Sequence, residues 1–149
     1  MASGVVVACE QCGQKNRVPY ARLGPDQAPK CGKCGTVLRP LAAPVDLEQS
    51  GDFDAILAQA KVPVLVDFWA QWCGPCHAVA PELVKVAANA KGRVMVLKVD
   101  TEAHPTVAGR FGIRSIPTMM VFKGGQEAGR TSGARPAPAI EQFIQQSVR

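Results

Sequence analysis

Two kinds of apolar pattern alternate along residues 45–149. Val64-Leu65-Val66-Asp67-Phe68-Trp69, Val94-Met95-Val96-Leu97-Lys98-Val99 and Met119-Met120-Val121-Phe122 are short β-branched and aromatic runs. They are too short for helices and read as buried strands. Phe53, Ile56, Leu57 and Ala60 recur at helical spacing, as do Val79, Leu83 and Val86, and then Ile140, Phe143, Ile144 and Val148. Val62-Pro63 ends the first of these helices, and Pro136 and Pro138 introduce the last. Pro81 falls inside the middle one and predicts a kink. Gly124-Gly125 lies between two strand-like runs and predicts a hairpin. Strands alternating with helices define an α/β fold.

The front of the chain is organised differently. Arg39-Pro40-Leu41-Ala42-Ala43-Pro44 carries two prolines and neither period, so an extended, moderately stiff linker is expected over 39–45. It separates a small module, 1–38, from a domain of ordinary size, 46–149. Hydrophobic residues make up 47% of the 149, which argues against wholesale disorder. No apolar run approaches the ~20 residues a membrane helix requires. Val5-Val6-Val7-Ala8 is too short for a secretory signal, so a cytoplasmic location is expected, where structural disulfides are rare. The six cysteines are then metal ligands or catalysts.

Of the net charge of +5, residues 1–45 carry six basic and two acidic side chains, and the rest carry eleven and ten. Four zinc-bound thiolates would make an anionic cluster that cancels much of the frontal excess. A solvated basic face is therefore favoured over a nucleic-acid surface.

Cys9-x2-Cys12 and Cys31-x2-Cys34 are separated by 18 residues, a spacing suited to a four-cysteine zinc site. Two residues between cysteines let both sulfurs turn toward one point, and two such turns complete a tetrahedron. Gly13 and Gly35, each following the second cysteine of a pair, suit a tight turn with positive φ. Disulfides or plain buried thiols are the alternatives, disfavoured by compartment and spacing. A segment this small cannot bury enough apolar surface alone, so one structural zinc ion should stabilise it. Oxidation of its thiolates would destroy ligation, which leaves a redox-sensing role open.

Trp72-Cys73-Gly74-Pro75-Cys76 stands where a strand hands over to a helix. Near a helix N-terminus, unpaired N–H groups and the macrodipole favour a thiolate, the attacking species in disulfide exchange. Cys76 lies one turn on and can close a disulfide with Cys73, while Gly74 and Pro75 keep the turn tight. Half of a second zinc site with His77 is the alternative, but no further cysteine pair completes it. Asp67 is the odd residue of its strand. Alternation puts it inside, where its pKa should rise and suit it to proton transfer, unless that strand face is polar.

Trp-Cys-Gly-Pro-Cys behind Asp67-Phe68-Trp69-Ala70 resembles the thioredoxin family. The likeness runs through Phe111-Gly112-Ile113-Arg114-Ser115-Ile116-Pro117-Thr118, Phe122-Lys123-Gly124-Gly125 and Gly133-Ala134, over roughly residues 45–149. Cys9-Glu10-Gln11-Cys12, Asn16-Arg17-Val18-Pro19, Arg22-Leu23 and Cys31-Gly32-Lys33-Cys34 resemble the front module of the zinc-carrying bacterial thioredoxin 2 type. The resemblance implies a mixed central sheet with helices on both faces, preceded by a zinc ribbon. It implies a cytoplasmic, monomeric protein-disulfide reductase, recycled by an NADPH-dependent flavin reductase, with disulfide-containing client proteins as partners. Nothing in the sequence binds a nucleotide directly: there is no Gly-x-Gly-x-x-Gly and no P-loop.

By the same resemblance Cys73 is the nucleophile and Cys76 the resolving thiol. Asp67 is the buried base for Cys76, with Lys98 near it, although a snorkelling strand-end lysine explains Lys98 equally well. Pro117 is cis and faces the dithiol, Ile116 offers backbone groups to a client, Trp72 is an apolar contact, and Gly133 and Ala134 line the client groove. Trp69 is expected to serve packing. His77 departs from the lysine or arginine more usual after the second cysteine, so the pH profile should differ. A disulfide oxidant or isomerase, and a zinc-ribbon adaptor whose second domain only docks partners, remain as alternatives.

Overall fold

The computed structural model describes residues 4–149. Strands β1 (Gly4–Ala8) and β2 (Lys15–Pro19) form an antiparallel pair with Val5 opposite Val18. A single 3-10 turn, Tyr20–Arg22, follows, and an isolated bridge pairs Lys30 with Val37. The remaining elements are β3 (Val45–Asp46), α1 (Asp52–Gln59), β4 (Val64–Trp69), α2 (Gly74–Ala90), β5 (Met95–Asp100), α3 (Pro105–Arg110), β6 (Thr118–Lys123), β7 (Gln126–Ser132) and α4 (Ala137–Ser147). They build a five-stranded sheet in the order β3-β5-β4-β6-β7. β3, β5 and β4 run parallel, and β6 and β7 antiparallel, which is the mixed sheet expected.

The central position of β4 follows from its composition. A strand covered on both faces reads as a continuous apolar run, and Val64–Phe68 are all buried. Side chains alternate across it. Val64, Val66 and Phe68 enter one cluster with Phe53, Ile56 and Leu57 of α1 and Val107 and Ala108 of α3. Leu65 enters the other, with Val79, Leu83 and Val86 of α2 and Ile140 and Ile144 of α4. The same alternation puts Asp67 and Trp69 on the α2 face, and Lys98, in register with Asp67, on that face of β5.

Helix α2 runs unbroken through Pro81, whose missing N–H deprives the His77 carbonyl of its usual donor. The predicted hairpin joins β6 to β7, with Gly124 and Gly125 at φ of 59° and 81°. Strands β1–β3 and helix α3 were not evident from periodicity, being short or having their apolar side facing a different part of the chain.

The segment 39–45 departs from the extended linker expected. Ala42 N–H donates to the Arg39 carbonyl at 3.2 Å in a turn, β3 begins at Val45, and Leu41 is only 2% exposed. The reason is burial. Val18, Tyr20, Leu23, Leu38 and Leu41 join the α1-side cluster with Phe53 and Ile56, so the front of the chain and the larger domain share one core.

Candidate functional site

Strand β4 delivers the chain through the buried Ala70 into the turn that carries the two cysteines. Cys73 is the N-cap of α2, in extended conformation (φ −87°, ψ 110°), with Gly74 and Pro75 in the first helical positions. Neither residue opposes this: proline fits a first turn because its absent N–H is not needed there. Cys73 and Cys76 are joined as a disulfide with their Cα atoms 5.3 Å apart. The Cys76 backbone N–H donates to Cys73 Sγ at 3.2 Å. Together with the helix N-terminus, that donor stabilises negative charge on Cys73 once the bond is reduced. Both sulfurs are buried against Ala70, Trp69 and Ile116, whereas the Trp72 ring beside them is 70% exposed.

The Ile116–Pro117 peptide is cis, and the Ile116 carbonyl oxygen lies 3.7 Å from Cys73 Sγ. Gly133, at φ +95°, donates its N–H to the Pro117 carbonyl at 2.8 Å. Ala134 follows on the surface. Ile116, Pro117 and Gly133 are thus gathered beside the dithiol, next to exposed Trp72.

Asp67 is buried at 1% exposure, and among the described residues its Oδ1 has no hydrogen-bond partner. Burial pushes its carboxyl up to about 7, against the smaller opposing pull of Lys98. The Lys98 ammonium sits 4.8 Å from the centroid of the Trp69 ring. Such a cation over an aromatic face is attracted by its quadrupole. Trp69 is therefore more than the packing residue it resembles in sequence. Its ring meets Lys98 and packs with the cysteines, and its buried Nε1 lacks a partner among the described residues. A tryptophan within an apolar run carries no signal that separates these roles.

The four remaining cysteines converge elsewhere, with their Sγ atoms all within 4.8 Å of one another. Cys9–Cys34 and Cys12–Cys31 sulfur pairs lie at 3.6 Å. Tetrahedral zinc–thiolate bonds of about 2.3 Å imply sulfur separations of roughly 3.8 Å, so the donor set fits such an ion. Each pair sits on a matching turn: Gly13 and Gly35, both at φ 78°, donate to the Cys9 and Cys31 carbonyls at 2.9 and 3.0 Å. The Lys33 N–H reaches Cys31 Sγ at 3.4 Å, and Thr36 Oγ1 lies 3.1 Å from Cys34 Sγ. Four sulfurs leave no position for water, so the centre is suited to structure rather than to hydrolysis.

A dithiol at a strand-to-helix turn, backed by a helix N-terminus and a buried carboxyl, defines a thiol–disulfide oxidoreductase. The family model described as Thioredoxin matches residues 44–146, and the one described as Thioredoxin 2, N-terminal, matches residues 8–36. The chain belongs to the thioredoxin family. Thioredoxin C-3 of Corynebacterium nephridii is 37% identical over 145 residues, covering 97% of each chain. Thioredoxin 1 of a Nostoc species is 47% identical over 93 residues, 62% of this chain and 87% of the relative. The thioredoxin of Haemophilus influenzae is 37% identical over 97 residues, 65% of this chain and 91% of its own. No helix among the described residues is long and apolar enough to cross a membrane.

Proposed function

We propose that this protein reduces disulfide bonds in client proteins and is itself returned to the dithiol by an NADPH-dependent thioredoxin reductase. The observation that carries the reading is the Cys76 N–H donated to Cys73 Sγ at the N-cap of α2, which supports Cys73 as the sulfur held as thiolate. The Cys73 thiolate attacks a client disulfide; one client sulfur leaves as thiolate and a Cys73–client mixed disulfide forms. Asp67 takes the proton of Cys76, and the new thiolate attacks Cys73 Sγ. The second client sulfur departs, and Cys73–Cys76 is oxidised as the client gains two electrons.

Asp67 suits its part because a buried carboxyl at about 7 exchanges protons near neutrality. The Lys98 ammonium favours the ionised form of that carboxyl and partly offsets the effect of its burial. Trp72, Ile116, Pro117, Gly133 and Ala134 form the client surface, with Ile116 offering backbone to an extended segment. One zinc ion on Cys9, Cys12, Cys31 and Cys34 stabilises the front module, which is too small to own a core and packs its few apolar side chains into that of the larger domain. A four-thiolate zinc centre persists only where thiols stay reduced, which supports work in the cytoplasm.

The test is turnover of insulin disulfides with NADPH and a bacterial thioredoxin reductase. Cys73→Ser should abolish it, and Cys76→Ser should trap the protein on an insulin chain through Cys73. Asp67→Asn should slow release of that mixed disulfide more than its formation. No reduction of insulin, together with efficient oxidation of a reduced dithiol peptide, would replace this reading with an oxidant.

A further inference from the structure

The front hairpin and the five-stranded sheet each end in an open strand. Among the described residues β1 pairs only with β2, and β3, at the end of its sheet, pairs only with β5. The two open strands flank one groove of about 390 Å³, which Tyr20 and Ile56 also line. A cavity lying against the face of a strand meets every second residue, because side chains alternate. Here all five residues of β1 line the groove, and so do residues 45–48. Both strands therefore meet it along their edges.

The ladders show which backbone groups those edges present. The Cys9 N–H donates to the Gln14 carbonyl at 2.9 Å, and hydrogen-bonded pairs alternate along an antiparallel ladder. Val7 and Val5 are then the residues bonded to β2, and Val6 and Ala8 turn their N–H and C=O groups away from it. On the other wall the Leu47 N–H donates to the Lys98 carbonyl at 2.9 Å. Asp46, one residue earlier, accordingly turns its own N–H and C=O away from β5. Outward-facing backbone groups on both walls are what an added strand requires.

Charge selects the strand that fits. Glu10, Asp46, Glu48 and Asp52 line the groove against a single cation, Arg39. Those are four of the chain's twelve acidic side chains and one of its seventeen basic ones, in a protein of net charge +5. Among the described residues none of the four carboxylates forms an ion pair. The Tyr20 phenol feels the same field: burial and then Asp52 push it up to about 12, with Glu48 adding to the rise and Arg17 opposing it. We propose that this groove takes an extended, lysine- or arginine-rich segment of a partner protein, which pairs with β1 and β3 and joins the two sheets through an added strand. Main-chain pairing supplies the affinity, and the acidic lining selects a basic segment over an acidic one. The bound segment ties the zinc-ribbon hairpin to the domain that begins at β3.

The probe is an end-blocked heptapeptide of alternating lysine and valine, titrated into the reduced, zinc-loaded full chain and followed by amide NMR with hydrogen exchange. Saturable shifts should centre on the Val6, Ala8 and Asp46 amides, and their exchange with solvent should slow on binding. The same peptide with glutamate for lysine should not bind. N-methylation at alternate residues keeps the charge, removes half of the backbone donors, and should abolish the protection. Asp46→Lys combined with Glu48→Lys, both at exposed positions, should weaken the lysine peptide roughly fivefold. Unchanged affinity in that double variant overturns the charge selection. Equal binding of the N-methylated peptide, or shifts without any protected amide, reduces the groove to a counterion surface and overturns the added strand. No saturable binding at millimolar peptide overturns the proposal outright and leaves the carboxylates as guards of two strand edges. Protection of Val6 and Ala8 that grows with protein concentration in the absence of peptide makes the occupant a second copy of this chain and overturns the basic partner.

Discussion

Replacing Asp67 by Asn in the oxidised protein should stabilise it, and only above a definable pH. The carboxyl is pushed by burial from an ordinary value of 3.8 to about 7. Below about pH 4 it is neutral in folded and unfolded chains alike and costs nothing by charge. Between about pH 4 and 7 the unfolded chain ionises first, so proton linkage lowers folding stability as pH rises. Above about pH 7 both states are ionised and the loss levels off. A gap of about three pH units at about 1.4 kcal/mol each sets the full cost at about 4 kcal/mol. Asn has nearly the same shape and does not ionise. Guanidinium unfolding of wild type and D67N at matched pH, from 4 to 9 and with equal zinc loading, reads the difference. The two should agree within about 1 kcal/mol near pH 4 and separate by up to about 4 kcal/mol at pH 8. Zinc loss at acid pH affects both proteins and cancels. A constant offset across the range, or a variant less stable at pH 8, would refute the placement of a carboxylate only partly compensated by Lys98 in the α2-side core.

Lys98→Met removes the charge that holds the Asp67 carboxyl down, so the pH at which wild-type stability levels off should move above about 7 in the same unfolding series. Leu23→Ala, at a position 1% exposed in the shared core, should cost about 2–5 kcal/mol and lower the single thermal transition of the whole protein rather than melt the front module alone. Metal removal by a strong chelator should likewise destabilise the oxidoreductase domain, read as a fall in calorimetric Tm, because Tyr20, Leu23, Leu38 and Leu41 lose the fold that presents them to α1. Gly125→Ala forces a β-carbon onto a residue at φ 81° and should cost about 1 kcal/mol with no change in the rate at which Cys73 is alkylated.

What was legible in the sequence was whatever a residue's surroundings made conspicuous. Strands β4, β5 and β6 are buried on both faces and read as unbroken apolar runs, and α2 and α4 show their stripes because each lays one face on the sheet. Asp67 was visible because a carboxylate interrupts such a run, and the six cysteines because their spacings match two separate chemistries. Trp69 was not, since an aromatic in an apolar strand looks like packing whether or not a lysine lies over it. The hydrogen bond between the His77 ring and the Gln71 carbonyl was invisible for a different reason: a backbone acceptor leaves no mark on composition. The linker was misread because stiffness was inferred from Pro40 and Pro44 while the residue that decides its path is Leu41, a single apolar side chain with no period to reveal it. A module too small to own a core places its few apolar residues according to its neighbour's apolar face, here the side of α1 that carries Phe53 and Ile56. Its own sequence then records the metal ligands clearly and the docking face hardly at all.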